Sequence, residues 1–243
     1  MSEQLGKSMQ NTPWRTIITP HEDVLLGSFQ EAEFAADLSK VSAGVASLEY
    51  QDPKQFFERT FITEGMRLLL RNVVRRLAGN AGDPVVQLKT AFGGGKTHAM
   101  LAVYHIAKGL APTRDLTGVP NILDEAGVNE LPKANVAVLD GHAIGPAEPR
   151  QRDGVTINTI WGEMAAQLAE SAGNPSLYEF VKESDKRGVA PGSETLKNLF
   201  DACAPCVVLI DEMVAYAKKL YGVNGLPAGS FDNLISFIQE VTE

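Results

Sequence analysis

The chain has 243 residues, of which 44% are hydrophobic and 21% are charged, a balance typical of a globular protein that can bury a core. Its formal net charge of −8 argues against a surface that binds nucleic acid as a whole, so contact with DNA would need a local basic patch or a partner protein. The N-terminus is polar and no stretch is apolar enough to span a membrane, which predicts a cytoplasmic protein without a membrane partner.

The first part of the chain, residues 1–82, is predicted to be an irregular arm followed by a mostly helical segment. Its clearest helix is expected to begin after Thr63, whose hydroxyl suits an N-cap, and to run to about Ala78. A basic stripe recurs on this helix at four-residue intervals: Arg67, Arg71 and Arg75. Such a stripe usually faces solvent, and contact with the phosphates of a nucleotide or nucleic acid is the alternative.

Strand and helix alternate in residues 83–243, the second predicted domain. Three apolar segments have the length and composition of buried strands: Val85–Lys89, Asn135–Leu139 and Cys206–Ile210. Helical patterns follow them, and a polar loop through Gly154 separates the second strand from its helix. This alternation predicts an α/β fold with a parallel sheet and flanking crossover helices.

A glycine-rich segment, Thr-Ala-Phe-Gly-Gly-Gly-Lys-Thr at residues 90–97, lies between the first predicted strand and a helix, as a Walker A phosphate loop requires. Side chains at Gly93, Gly94 or Gly95 would keep phosphate oxygens away from main-chain N–H groups. Lys96 can bind the β- and γ-phosphates, and the Thr97 hydroxyl can coordinate Mg²⁺. The segment therefore predicts a site for ATP with Mg²⁺.

Two details qualify this loop. The usual first glycine is replaced by Thr90, at a position that makes a turn rather than a phosphate contact, and a glycine-rich turn without a ligand is the alternative. His98 directly follows the loop and is included in the nucleotide-binding segment. The side chains of His98 and His105 are expected to be structural, because no third metal ligand lies near them in sequence.

Two adjacent acids, Asp211 and Glu212, follow the third predicted strand, as in a Walker B motif. The carboxyl ends of parallel strands open onto the ligand crevice of such sheets, and acids there are costly to bury unless a metal or water uses them. Asp211 is predicted to hold Mg²⁺ through its waters, and Glu212 to act as the general base for the attacking water. Solvated acids at a strand end are the alternative.

The pair Asp211-Glu212 resembles that of the catalytic-glutamate division of P-loop NTPases, which includes AAA+ proteins. The resemblance implies the strand order 5-1-4-3-2 and places Asp140, after the second strand, at the rim of the site as a polar switch residue. A fourth strand with a sensor residue and an arginine finger would complete such a fold, and neither is recognisable before Glu243. We therefore expect the core to be truncated before the sensor strand, as the N-terminal part of a longer ATPase.

The two cysteines, Cys203 and Cys206, have the spacing of a thioredoxin-like redox site. In those sites a strand precedes the pair and a helix follows it, so that the helix N-terminus lowers the thiol pKa. Here a helix is predicted before the pair and a strand after it, which favours a structural role.

Several segments together resemble one bacterial and archaeal family. They are Pro20-His-Glu-Asp-Val, Phe34-Ala-Ala-Asp-Leu, Glu49-Tyr-Gln-Asp-Pro53, Thr63-Glu-Gly65 and Phe92-Gly-Gly-Gly-Lys-Thr-His98. The family comprises large P-loop, AAA+-like ATPases of unknown function that are found in anti-phage defence and DNA-modification gene clusters. The resemblance covers about residues 14–243 and implies ATP-driven action with other defence proteins, with DNA contacted through the complex and homo-oligomers as an option.

Three functions therefore remain open at this point. The first is a Mg-dependent ATPase, with Lys96 and Glu212 as catalytic residues, that powers or switches a defence or DNA-modification complex. The second is a nucleotide-gated regulatory scaffold with little turnover. The third is an inactive, truncated fragment without affinity for ATP.

Overall fold

The computed structural model describes residues 18–19, 25, 27, 36–89, 93–152 and 154–243. The chain divides into two units, residues 1–35 and residues 36–243, and all elements below belong to the second. Thr90 and most of the predicted N-terminal arm lie outside the described residues.

The second unit is a mixed α/β structure. Its helices in chain order are α1 (Leu38–Ser42), α2 (Leu48–Gln51), α3 (Pro53–Arg59), α4 (Glu64–Leu77), α5 (Lys96–Lys108), α6 (Val119–Ala126), α7 (Ile160–Ala172), α8 (Lys182–Arg187), α9 (Ser193–Ala202), α10 (Met213–Leu220) and α11 (Phe231–Thr242). Its strands are β1 (Asn135–Asp140), β2 (Arg150–Arg152), β3 (Val155–Ile157) and β4 (Cys206–Asp211), and 3₁₀ turns occur at Thr113–Asp115 and Pro175–Phe180.

The central feature is a parallel pair of strands, β1 and β4, in which Asn135 lies opposite Cys206 and Asp140 lies opposite Asp211. Both predicted strands are thus confirmed, and they are neighbours, as the expected strand order requires of the second and third strands. Because the strands are parallel and in register, Asp140 and Asp211 end at the same edge of the sheet.

Helices cover the sheet on both faces. Val136 and Val138 of β1 pack in one hydrophobic cluster with α1, α3, α4, α5 and α6. The alternating residues Ala137 and Leu139 pack in a second cluster with α7, α9, α10 and α11. Successive side chains of a strand point to opposite faces, so β1, buried on both, reads in the sequence as one continuous apolar run.

The segment Val85–Lys89 is not a strand, and this prediction is wrong. A strand is stabilised by main-chain hydrogen bonds to a neighbouring strand, and within the described residues no strand pairs with this segment. Val85 and Val86 are 44% and 43% exposed. An apolar run indicates a preference for burial but does not specify a pairing partner. The run alone therefore could not establish a strand.

The outer edge of β1 is closed by two side chains of α7. Gln167 accepts a hydrogen bond from the Val138 N–H at 2.7 Å and donates to the Val138 carbonyl at 2.9 Å. One turn later on α7, the Ser171 hydroxyl accepts from the Val136 N–H at 3.1 Å. Buried main-chain groups need such partners, and here side chains replace a neighbouring strand.

Three further sequence predictions concern single segments: the cap of α4, the basic stripe on it and the loop through Gly154. The α4 prediction is confirmed: the Thr63 hydroxyl accepts from the Met66 N–H at 3.3 Å. Arg67, the first residue of the basic stripe, is held by Glu64 and Glu125. The predicted loop through Gly154 instead contains the antiparallel strands β2 and β3. Each has only three residues, and β2 is Arg-Gln-Arg, so the segment is too short to establish a strand pattern in the sequence.

The cysteine pair lies between a helix and a strand in the predicted order. Cys203 is the C-cap of α9 and Cys206 begins β4, and both are free thiols. A hydrogen bond between the two thiols lowers the pKa of Cys203 and raises that of Cys206. This arrangement lacks the helix N-terminus that activates thioredoxin-like thiols.

Candidate nucleotide-binding site

The glycine loop ends where α5 begins. Gly93 and Gly95 have φ values of 74° and 75°, in the left-handed region that glycine enters without steric cost. A Cβ added at either position would meet nothing within 4 Å, so the backbone conformation itself favours glycine there. Gly95 is the N-cap of α5, so the N–H groups of the first helical turn, which have no acceptor within the helix, follow directly, and such groups are suited to bind an anion.

The two predicted motifs meet at a hydrogen bond between Thr97 and Asp211. The Thr97 hydroxyl donates to Asp211 Oδ2 at 2.8 Å, across 114 positions of sequence. Asp211 Oδ1 accepts from the N–H of Glu212 at 3.0 Å. Lys96, the residue before Thr97, is half-buried at the start of α5. The structure therefore brings Lys96–Thr97 to the strand end that carries Asp211–Glu212.

This pair of side chains suits Mg²⁺ in its donor chemistry. Hydroxyl and carboxylate oxygens are hard ligands, and Mg²⁺ at phosphate sites typically uses only one or two protein ligands and retains several waters. In the described part of the chain, no group of three or more His, Cys, Asp or Glu side chains is placed to hold a metal. A closed protein cage for a metal is thus absent there, and a site for Mg²⁺ with a bound triphosphate does not need one.

The two histidines of α5 are held by the helical segment before the loop. His98 Nε2 lies 2.9 Å from the Thr60 hydroxyl, and its ring packs on Phe56 at a centroid distance of 4.6 Å. Burial lowers the pKa of His98. Its side chain is therefore occupied by α3 and its C-cap, which leaves its main-chain N–H as the group that could serve the predicted nucleotide site.

His105 is buried deeper in the same core. Its Nε2 lies 2.9 Å from the Tyr50 carbonyl oxygen, and burial lowers its pKa to about 4. The neutral imidazole with a proton on Nε2 can donate to this carbonyl. Both side chains thus have the structural contacts expected from the sequence.

Glu212 has an unusual backbone conformation. Its φ and ψ are 49° and 34°, and among the described residues it is the only non-glycine with a positive φ. This region costs L-residues about 1 kcal/mol or more. Glu212 is also the N-cap residue of α10, so this strained residue places its carboxylate between the end of β4 and the start of α10.

The loop after β1 lies against Glu212. A Cβ at Gly141 would lie 2.1 Å from the Glu212 carbonyl oxygen, so only glycine fits there. His142 Nε2 lies 3.8 Å from Glu212 Oε2, with 70% and 51% of the two side chains exposed. His142 was missed by the sequence analysis. Its one available signal was the position directly after the strand-ending pair Asp140-Gly141.

Asp140 lies opposite Asp211 at the same edge of the sheet, as predicted, but its carboxylate accepts hydrogen bonds from its own loop. Asp140 Oδ1 accepts from the N–H groups of His142 at 2.8 Å and Ala143 at 3.3 Å. Its Oδ2 accepts a hydrogen bond from the Ser39 hydroxyl on α1. These partners leave His142, rather than Asp140, as the polar side chain that contacts Glu212.

A cavity of about 620 Å³ lies beside the outer edge of β1, and its lining includes Asp140 but neither the glycine loop nor Asp211 and Glu212. Arg152 crosses its wall, bonded to Glu163 at 2.7 Å and Glu170 at 2.8 Å. The candidate site is therefore recognised by its donor and acceptor groups and not by this cavity.

The described residues thus define a mixed α/β protein with a two-stranded parallel sheet and a glycine loop beside paired acids. The chain belongs to the family described as DUF499 N-terminal domain, whose model matches residues 17–243. No curated protein and no solved structure matches it. Among the described residues, every helix is too short or too polar to cross a membrane.

Proposed function

We propose that this chain binds ATP with Mg²⁺ and hydrolyses it. In this proposal the main-chain N–H groups of Gly93, Gly94 and Gly95 bind the phosphates, together with the N–H groups at the start of α5. Lys96 contributes its ammonium group to the β- and γ-phosphates. Thr97 and Asp211 provide the oxygen ligands and water contacts of Mg²⁺.

One observation carries the proposal: the hydrogen bond of 2.8 Å between Thr97 and Asp211. The glycine loop and the acidic pair are each weak signals when read alone in a sequence. Their meeting in space supports a common ligand, because a bound Mg²⁺ needs oxygen donors from both motifs beside the triphosphate.

Glu212 is assigned the role of general base in the same proposal. It follows Asp211 directly, and its side chain is 51% exposed, so water can reach the carboxylate. A carboxylate within hydrogen-bond reach of a water that faces the γ-phosphate can accept its proton as the bond to phosphorus forms. Mg²⁺, when bound, supplies charge stabilisation to the phosphate oxygens.

The wider setting is also a proposal, supported by the family resemblance. We propose that the ATPase acts in the cytoplasm with other proteins of an anti-phage or DNA-modification complex. The net charge of −8 supports contact with DNA through such partners rather than by this chain alone.

The test is equilibrium binding and single-turnover hydrolysis of Mg-ATP by the purified chain. We expect Lys96→Ala to weaken ATP binding at least about tenfold, and Glu212→Gln to preserve binding while slowing hydrolysis at least about a hundredfold. The matched controls Lys197→Ala and Glu194→Gln change the same residue types on the exposed side of α9. Binding that Lys96→Ala leaves unchanged would contradict the site, and turnover that Glu212→Gln leaves unchanged would contradict the base.

A further inference from the structure

Residues 141–144, the loop after β1, have a partner for every main-chain polar group. The N–H of Gly141 donates to the Asp211 carbonyl at 2.9 Å, and that of Ile144 donates to the Asp140 carbonyl at 3.0 Å. The N–H groups of the two residues between them donate to Asp140 Oδ1. A loop whose N–H groups are all bonded within the protein is ordered more firmly than one bonded to water.

The carbonyl groups of the same loop are bound by two cationic side chains. Lys219 Nζ donates to the carbonyl oxygens of Gly141, His142 and Ile144, each at 2.9 Å. Arg150 Nη2 donates to the Ala143 carbonyl at 2.9 Å. An ammonium group has three N–H donors, so these three bonds use the full donor capacity of Lys219.

Lys219 and Glu212 belong to the two ends of one helix. Glu212 is the N-cap of α10, and Lys219 lies in its last turn. The loop thus touches α10 at both ends: Gly141 packs on the Glu212 main chain, and the Lys219 ammonium holds the loop carbonyls. The loop therefore lies against the helix N-terminus, where Glu212 has its left-handed backbone.

We propose that Lys219 is a positioning residue for Glu212. It holds residues 141–144 in the conformation that packs on the Glu212 backbone and keeps His142 beside the Glu212 carboxylate. A residue at a positive φ persists only where its surroundings hold it there, and Lys219 is part of those surroundings. The inference rests on the proposed ATP hydrolysis, because only then does the exact placement of Glu212 affect a rate.

The proposed phosphate-binding segment and Lys219 lie on different helices. Gly93–Thr97 lies at the start of α5, and Lys219 has no hydrogen bond to it among those found. Loss of Lys219 should therefore slow the chemical step and leave the binding of ATP nearly unchanged. A lysine that only stabilised the fold would instead affect both the chemical step and ATP binding, or neither of them.

The test compares Lys219→Met with Lys218→Met in the full chain. Lys218, the neighbour on α10, is exposed like Lys219 but has no hydrogen bond in the described part of the chain, so it is the matched control. In Lys219→Met we expect kcat to fall about tenfold or more, with KM for Mg-ATP changed less than about twofold. Lys219→Arg, which keeps the charge but spreads its donors over a planar group, should restore part of kcat. In a Glu212→Gln background, Lys219→Met should lower the residual rate by less than about twofold.

Hydrogen exchange provides a readout that does not need hydrolysis. Peptides covering residues 140–145 should exchange about tenfold faster in Lys219→Met than in Lys218→Met, while peptides of α5 stay unchanged. Unchanged exchange in this loop, or equal loss of kcat in the two variants, would overturn the positioning role. A chain that binds ATP without hydrolysing it, yet shows faster loop exchange, would instead refute the proposed enzymatic function and retain the contact role of Lys219.

Discussion

Thr97 and Asp211 are joined by one hydrogen bond of 2.8 Å between a hydroxyl and a carboxylate oxygen. The Thr97 oxygen donates its proton in this bond and keeps its lone pairs, so it can coordinate a magnesium ion while it remains bonded to Asp211. The hydrogen bond is therefore expected to orient the Thr97 hydroxyl toward Mg²⁺ and to persist when Mg-ATP binds.

The first prediction concerns the Thr97 hydroxyl. Thr97→Val keeps nearly the same shape and removes the oxygen, so it should weaken Mg-ATP binding about tenfold, or about 1.4 kcal/mol. Binding of ATP in the presence of EDTA should change less, since the hydroxyl is assigned to the metal. Titration calorimetry with and without Mg²⁺ measures the difference. Thr97→Ser keeps the hydroxyl and is the control, and equal Mg-ATP affinity in Thr97→Val and wild type would contradict the assignment.

A second prediction concerns the close approach of Gly141 to Glu212. A Cβ at Gly141 would lie 2.1 Å from the Glu212 carbonyl oxygen, so Gly141→Ala must displace the backbone that carries the proposed base. We expect kcat to fall at least about tenfold while ATP affinity changes less than about twofold.

Gly145→Ala is the matched control for this change, because a Cβ there meets nothing within 4 Å and its φ is not positive. Both variants should be compared by turnover, ATP binding and urea unfolding. If Gly141→Ala turned over ATP like Gly145→Ala, the packing of this loop on Glu212 would have no role in the reaction.

A third prediction concerns the buried carboxylate of Asp185. It accepts hydrogen bonds from the Thr159 N–H at 2.8 Å, the Thr159 hydroxyl at 2.5 Å and the Tyr178 hydroxyl at 2.7 Å. A Cβ at Gly162 would lie 2.0 Å from Asp185 Oδ1. Gly162→Ala should therefore lower the free energy of unfolding by about 3 kcal/mol, as measured by urea denaturation.

Gly65→Ala provides the comparison, since Gly65 is also helical and a Cβ there meets nothing within 4 Å. Alanine has the higher helix propensity, so this change should stabilise the protein by about 0.5 kcal/mol. Equal effects of the two substitutions would show that Asp185 can move away at little cost.

A fourth prediction is the pH dependence that His105 confers on stability. Its pKa is about 4 in the folded protein, against 6.5 in the unfolded chain, so below pH 6.5 the unfolded state binds more protons. The contribution of neutral His105 to the free energy of unfolding is complete above about pH 6.5 and is lost as the pH falls toward 4. Between pH 7.5 and 5 the loss should be about 2 kcal/mol. His98, with its pKa lowered in the same direction, adds to it.

Urea unfolding at the two pH values tests this. His105→Phe should remove about 2 kcal/mol of the difference between them, whatever its absolute stability. His142→Gln changes an exposed histidine and should leave the difference in place. A pH difference in His105→Phe equal to that of the wild type would mean that the buried imidazole titrates normally.

Sequence reasoning found the elements whose evidence is local. The Thr63 cap of α4 and the apolar runs of β1 and β4 follow from residues that are neighbours in the chain, and the structure contains all three. The resemblance to P-loop NTPases placed Asp140 at the rim beside the third strand, and the register of β1 and β4 places Asp140 and Asp211 at one edge.

What sequence reasoning missed depends on contacts between distant residues. Val85–Lys89 is as apolar as a strand but has no pairing neighbour among the described residues, and no local pattern reports that. His142 became recognisable only through its distance to Glu212. The same holds for Lys219, whose three acceptors lie more than 70 positions away.

Side chains of α7 cover the outer edge of β1, so the two edges of this sheet differ. Gln167 and Ser171 bond the outward N–H groups of Val136 and Val138 and the outward carbonyl of Val138, so an incoming chain would find most of that flank already bonded. Extension by a further strand, and equally aggregation through an unprotected strand, is directed to the opposite flank, along β4. Gln167→Ala would expose the main-chain groups of Val138, and we expect it to increase self-association of the protein.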